Sequence, residues 1–200
     1  PYTYELLKKI KFENYKLSNL RYITQAGGKL SNENQKYFYK ILKKKNIKFI
    51  IMYGATEATS RMSYLPWSKC GSKIGSIGIP IPGAKMEIVS QNKEKTGEIL
   101  YKGKNVSLGY ANSIKDLKNG DLNNGKLFTG DLGFKDKQGF YFIVGRKKRF
   151  LKIIGHRINL DELEIQLRVY LKYKKIYCTG DDNELIVLTD KKEISDNILN

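Results

Sequence analysis

Cysteine and histidine are almost absent from this chain, and their scarcity excludes several chemistries at once. Cys70 and Cys178 are the only cysteines in 200 residues. Far apart in sequence, they give neither a disulfide framework nor a metal-binding spacing, which fits a reducing, cytoplasmic setting. The single histidine, His156, has no ligand partners in the sequence and reads as a surface or turn residue. No apolar run approaches the roughly 20 residues of a membrane-spanning helix. The N-terminus lacks the basic-then-apolar pattern of a secretory leader. Acidic residues are also in short supply, 20 against 37 Lys and Arg, for a formal net charge of +17. Such a charge suits a nucleic acid, an anionic membrane or a polyphosphate. The lysines, however, are spread along the chain ("KILKKKNIK", "SQNKEK", "GRKKRFLK", "KYKKIY"). Aromatic residues do not recur among them in a base-stacking pattern. A lysine-rich solvated surface is the simpler reading, and nucleic acid is not expected as a partner.

Apolar residues make up 40% of the chain, enough for a globular core. The length allows one ordinary domain or two small ones. "PYTYELLKKI" opens as if in mid-helix, with no capping residue before it. A short strand is expected from Leu20 to Thr24, ended by Gly27 and Gly28. A helix follows, capped by Ser31 or Asn32, with Tyr37, Phe38, Ile41 and Leu42 as its apolar stripe. "IKFIIMY" is a continuous apolar run typical of a strand covered on both faces. Strand, helix, strand in this order predicts a parallel α/β unit. After Pro66 the Gly- and Pro-rich stretch to Gly83 reads as an irregular crossing segment. Closely spaced strands are then expected at "AKMEIVS", "GEILYKG", "LGFKD" and "FYFIVGR", forming a small antiparallel barrel or sheet. "RFLKIIGHRI" reads as a hairpin. "NLDELEIQLRVYL" reads as a helix with a capping box from Asn159 to Glu162 and a stripe of Leu160, Leu163, Leu167 and Leu171. "KIYCTG" and "ELIVLTD" add two strands, and Ser195 caps a final helical turn.

The expected fold class is therefore α/β plus α+β. Residues 1–84 are read as the tail of a large parallel α/β subdomain, 85–147 as a small β subdomain, and 148–200 as the start of a mobile α+β C-terminal domain. Because the chain opens and closes inside elements, it is expected to be the middle-to-late portion of a longer protein.

Three clusters carry candidate chemistry. Ligands of open α/β sheets bind beyond the carboxyl ends of strands, where Tyr53 to Glu57 sits. Gly54 permits a tight turn and close backbone approach to a ligand. The Thr56 hydroxyl can donate to a phosphate oxygen. Glu57 can hold Mg²⁺, which prefers one or two carboxylates plus substrate phosphates. The plainer alternative is a turn with a helix-capping threonine. In "LFTGDLGF", Asp131 precedes an apolar strand start and can accept both hydroxyls of a ribose, or can simply be a turn residue, as Asp116, Asp121 and Asp136 are read to be. In "GRKKRFLKIIGHRINLDELE", Arg146 can reach a nucleotide, or the cationic run can be an exposed linker.

Taken in order, "YGATEAT", "TGEILYKGKNVSLGY", "LFTGDLG" and "GRKKRFLKIIGHRINLDELE" resemble the consecutive core motifs of the adenylate-forming superfamily. Its members are acyl-CoA synthetases, luciferases and the amino-acid adenylation domains of peptide synthetases. The last motif keeps Gly145, Arg146, Lys152, Ile153, Gly155, Arg157, Ile158, Leu160, Glu162 and Glu164. The resemblance implies activation of a carboxylic acid by ATP to an acyl-adenylate, then transfer to a thiol of coenzyme A or of a carrier protein's phosphopantetheine. It implies that Tyr53 stacks on adenine beside Gly27 and Gly28, with Gly54 in the same turn. Thr56 contacts the α-phosphate, Glu57 binds Mg²⁺, and Asp131 with Arg146 holds the ribose. Lys148 falls at the hinge of the mobile domain, and Gly155 lines the pantetheine tunnel.

Two departures limit the expectation. The family's phosphate loop lies upstream of these motifs, and its Pro-x-x-x-x-Gly-Lys segment, which carries the adenylation lysine, lies near the C-terminus. Neither is in this chain, so the fragment alone is expected to be inactive. Met52, where many acyl-CoA ligases have Gly, narrows the acid pocket and favours a short acid. "YGATEAT" and "GHRINLDELE" resemble amino-acid-activating members somewhat more than fatty-acid ligases, and an acyl or peptidyl carrier protein is an expected partner beside coenzyme A. The rival readings are a polyanion- or nucleic-acid-binding module and a non-catalytic nucleotide-binding relative.

Overall fold

In a computed structural model the residues described are 1–90, 94–153, 156–172, 175–181 and 184–190, with only the backbone described for Lys152, His156 and Arg157. The chain divides into two compact units, Pro1–Val144 and Gly145–Asn200.

The first unit is built on an eight-stranded mixed sheet. Helix α1 (Tyr2–Lys9) leads to β1 (Tyr22–Gln25), α2 (Asn32–Lys44) and β2 (Lys48–Tyr53). Ser31 is the α2 cap, its side chain accepting the Asn34 N–H at 3.2 Å, which satisfies one of the helix's orphan donors. Phe38 and Leu42 are fully buried, with Tyr37 and Ile41 half-buried beside them. Strands β1 and β2 pair in parallel, Tyr22 opposite Lys48 through Gln25 opposite Ile51, which is the predicted α/β unit. Phe38, Leu42, Phe49, Ile51, Leu65 and Tyr4 form the core on that side. The Tyr4 and Phe38 rings meet edge-on at 4.9 Å. Each such fully buried side chain stabilises the unit by about 1.5–3 kcal/mol.

Beyond β2 the remaining pairings for which the register is defined are antiparallel, and the sheet runs on without a break. Strands β3 (Ser63–Leu65), β4 (Ser76–Pro80), β5 (Lys85–Val89), β6 (Gly97–Lys102), β7 (Lys126–Lys135) and β8 (Tyr141–Arg146) complete the order β1-β2-β3-β4-β8-β7-β6-β5. The stretch after Pro66, expected to be irregular, thus supplies β4, which together with β3 joins the parallel pair to the antiparallel part. Burial alternates along both strands, but the buried positions include Ser63, Ser76 and Gly78 rather than only apolar side chains, and the two serine hydroxyls do part of the bonding. Ser63 Oγ donates to Ile77 O at 2.7 Å, and Ser76 Oγ donates to Tyr141 O at 2.8 Å while accepting the Gly78 N–H at 2.9 Å. Gly78 sits at φ 87° where the β4–β8 register shifts, and a Cβ there would overlap the Tyr64 carbonyl. Gly78→Ala should therefore lower unfolding stability by about 2–4 kcal/mol. Gly83→Ala, at φ 80° with open space around it, should cost about 1 kcal/mol. Urea unfolding of the pair checks this, and equal losses would contradict it.

A second core of Met62, Met86, Ile99, Tyr101, Val106 and Tyr141 packs under the antiparallel part, and Tyr53 leans on it. Asp116, Asp121 and Asp136 all act in turns. Asp136 accepts the N–H groups of Gln138 and Phe140, each at 2.9 Å, and pairs with Lys73 at 2.6 Å. Asp116 completes a capping box with Ser113, and Asp121 accepts from Asn123 and Asn124.

The second unit contains a hairpin of β9 (Phe150–Ile153) and β10 (His156–Asn159), helix α3 (Leu160–Leu171), and an antiparallel pair, β11 (Ile176–Gly180) with β12 (Leu185–Thr189). Leu151, Leu160, Ile176 and Cys178 form its core, with Leu163, Leu167 and Leu171 packed around them. Asn159 caps α3 by accepting the Asp161 N–H at 3.1 Å, rather than bonding at Glu162 as the capping-box spacing suggests. The expected helical turn at Ser195 lies outside the described residues. Both cysteines are buried and free, one in each unit. Burial pushes the Cys70 thiol up to about 12, against a lowering backbone hydrogen bond. Among the described residues no helix is long and apolar enough to cross a membrane.

Candidate functional site

Tyr53 is the last residue of β2, and Gln25 the last of the neighbouring parallel strand β1. Gly27, Gly28 and the Tyr53–Glu57 turn therefore leave the same carboxyl edge of the sheet. Gly27 and Gly28 both adopt positive φ, 75° and 151°, and the Gln25 side chain donates to Gly28 O.

The loop after Tyr53 is closed at its base by Met62 N–H donating to Tyr53 O at 2.7 Å. A Cβ on Gly54 would overlap the Ser60 backbone and press on Thr59 O. The close approach that demands glycine is thus made by the loop's own return. Thr56–Ala58 is a single 3₁₀ turn with Ala55 at its cap and no side-chain capping bond. Thr56 is therefore not a capping threonine, and it is exposed. Thr59 closes the turn at φ 68°, ψ 175°. A β-branched residue there carries strain of order 1–3 kcal/mol, which persists only when surrounding contacts over-determine it.

Those contacts come from the segment after β6. Ser107 N–H donates to Glu57 O at 2.7 Å, and Asn105 Nδ2 donates to Ala58 O at 2.5 Å. Asn105 is in turn held by the hydroxyl of fully buried Tyr101 at 2.7 Å. The Tyr110 hydroxyl donates to Glu57 Oε1, and that bond raises the phenol pKa, with a smaller contribution from burial. Asn105 and Tyr110 were missed as site residues from sequence. The one signal was their place in "KGKNVSLGY", inside the second motif.

Asp131 does not precede a strand, as expected, but lies within β7. Gly97 pairs with Gly133 and Glu98 with Leu132, whereas Leu100 pairs with Phe128. Thr129, Gly130 and Asp131 consequently face one residue, Ile99, in a bulge that re-aims the side chains. Gly130 turns it at φ 71°, its N–H donating to Glu98 Oε1 at 3.1 Å. Thr129 Oγ1 donates to Ile99 O at 2.9 Å and accepts the Asp131 N–H at 3.2 Å. Asp131 is 6% exposed, and its Oδ2 accepts the Tyr53 hydroxyl at 2.6 Å. Two residues far apart in sequence are thereby joined into one aromatic–carboxylate pair, beside the strand-end turn bearing Thr56 and Glu57.

Arg146 and Lys148 belong to the second unit, where both are exposed; Lys148 lies in a short turn, Lys147–Arg149. A Cβ on Gly145 would crowd the Phe150 ring and Asn159 Nδ2. Gly155 lies outside the described residues. Arg149, given no role in the sequence reading, donates to Asp161 at 2.8 Å, to Cys178 O at 2.7 Å and to Glu164.

The donor set fits some ligands better than others. Among the described residues no three His, Cys, Asp or Glu side chains cluster to hold a metal. One carboxylate beside an exposed hydroxyl instead suits a hard cation that arrives with its own phosphate ligands. An aromatic ring at a sheet edge, bonded to a buried carboxylate, suits a nucleoside. Together these are the features that an α/β nucleotide site would need at a sheet edge.

Comparison with known proteins gives the family. The profile of the AMP-binding enzyme family matches residues 2–111, and the chain belongs to that family. It is 34% identical over 163 residues to "Probable 4-coumarate--CoA ligase 2" of Dictyostelium discoideum, covering 78% of this chain and 29% of that protein. Among solved structures, unliganded O-succinylbenzoate Coenzyme A Synthetase (MenE) from Bacillus subtilis superposes with a TM-score of 0.71 at 25% identity, over 98% of this chain and 43% of that one. The same enzyme in complex with ATP and magnesium ion gives 0.67 at 24% identity, over 98% and 42%. The chain thus spans about a third of the length of the curated relatives it matches.

Proposed function

We propose that this chain supplies part of the nucleotide site of an AMP-forming ligase, which activates a carboxylic acid with ATP and passes the acyl group to a thiol. The observation that carries this reading is the Tyr53–Asp131 hydrogen bond at the sheet's carboxyl edge, beside the exposed Thr56 and the anchored Glu57. Tyr53 stacks on adenine with Gly27, Gly28 and Gly54 shaping the edge, and Asp131 accepts the ribose hydroxyls. Thr56 donates to the α-phosphate, and Glu57 holds the Mg²⁺ that accompanies the phosphates. Catalysis at such a site is positioning and neutralisation of charge.

Coenzyme A is the favoured acceptor, because the relatives described above are named as CoA ligases or synthetases; a carrier-protein phosphopantetheine is the second choice. The acid is short, on the strength of Met52, or an amino acid, on the resemblance of "YGATEAT" and "GHRINLDELE" to amino-acid-activating members. Because the chain spans about a third of the relatives' length, the activity is assigned to the complete polypeptide that carries these residues. Acid-dependent exchange of pyrophosphate into ATP tests the proposal.

A further inference from the structure

We propose that Tyr110 is a positioning residue, holding the Glu57 carboxylate in the orientation that meets a divalent cation on a nucleotide. This rests on the nucleotide reading above. The segment from Gly103 to Gly125 is a closed loop. Gly103 N–H donates to Gly125 O at 3.0 Å, Leu122 N–H to Leu108 O at 2.7 Å, and Asn123 Nδ2 to Ser107 O at 2.7 Å. It grips the Thr56–Ala58 turn through Ser107 and Asn105, both of which bond main-chain carbonyls. Those two contacts fix where the turn lies but not where its carboxylate points. Tyr110, from the same loop, reaches the carboxylate itself.

The exposure of Tyr110 separates this role from packing. Its side chain is 74% exposed, so the ring gains little from burial and its definite engagement is the bond from the hydroxyl. A phenol donating to one carboxylate oxygen restricts rotation of the Glu57 side chain, so less freedom is lost when a cation binds. The hydroxyl remains a neutral donor, adding no positive charge to repel the cation. Removing it should therefore weaken the cation-dependent part of nucleotide binding and nothing else.

The test compares ATP affinity with Mg²⁺ and with EDTA, by calorimetry on the complete polypeptide that carries residues 1–200. The ratio of the two affinities is the cation-dependent gain. Tyr110→Phe should reduce that gain about three- to tenfold, the effect of one hydrogen bond, with affinity in EDTA and the thermal midpoint unchanged. Glu57→Gln should abolish the gain, and adding Tyr110→Phe to it should change nothing further, because the two residues act through one contact. A gain that survives Tyr110→Phe intact would overturn the role of Tyr110 and leave the nucleotide reading standing. So would a loss of equal size with and without Glu57. Absence of any cation-dependent gain in the unmodified protein would instead overturn the nucleotide reading, and this proposal with it.

Discussion

Glu164→Ala should destabilise the second unit by about 3 kcal/mol, the cost of removing one partner from a buried ion pair. Glu164 is 7% exposed on α3. Its Oε1 accepts Arg149 and the Cys178 N–H, the latter at 3.0 Å, and its Oε2 accepts Arg168 at 3.1 Å. Arg149 continues to Asp161 and Cys178 O, and Arg168 to Ile176 O at 2.9 Å. One carboxylate thus ties the turn after β8, helix α3 and strand β11 together. Truncation leaves two guanidinium groups and a buried N–H without their acceptor. Glu164→Gln retains an acceptor for the N–H and should cost less.

The same group sets a pH dependence. Burial alone would raise the Glu164 carboxyl, but the Cys178 N–H and the two arginines outweigh it, and the net direction is down from 4.5. A carboxyl held lower in the folded state binds fewer protons there than in the unfolded chain. Its contribution is therefore fully present above the ordinary carboxylate value and is lost as pH falls through the folded one. The stability difference between the unmodified protein and Glu164→Gln should shrink below about pH 4.5. A difference constant from pH 7 to pH 3 in urea titrations would contradict this account.

Asp131→Ala should weaken AMP binding roughly ten- to hundredfold, the range for hydrogen bonds to a charged group. It removes both the proposed ribose acceptor and the acceptor of the Tyr53 hydroxyl. Asp136→Ala is the matched control. Asp136 lies in the turn just after β7, pairs with Lys73 and organises that turn, so its loss should reduce stability while sparing AMP affinity. Calorimetry on both variants decides. Equal affinity for AMP in Asp131→Ala and the unmodified protein would remove Asp131 from the site.

Legibility in the sequence followed physical cause. The β1–α2–β2 unit was readable because a helical stripe lies between two apolar runs, and Ser31 stands where a cap belongs. Strands β3 and β4 were not, because Ser63, Ser76 and Gly78 place hydroxyls and a positive-φ glycine where apolar alternation would be expected. Asp131 was read as preceding a strand because nothing local distinguishes a bulge from a turn before a strand. The pairing of Tyr53 with Asp131 has no local signature at a separation of 78 residues; only family resemblance put them together. Glu164 was recognised as a motif position, yet its three-way bonding depends on β11, which lies beyond the motif. Tyr110 likewise sat in a recognised motif, and its partner became visible only when the loop was folded back onto the turn.

The most direct test of the central claim is ATP–pyrophosphate exchange by the complete polypeptide carrying residues 1–200, with a broad panel of carboxylic acids including amino acids and short acyl acids. The account predicts exchange that requires Mg²⁺, depends on one acid or a narrow group of them, and is lost in Glu57→Ala. Exchange with no acid in the panel, or exchange that persists undiminished in Glu57→Ala, would contradict it.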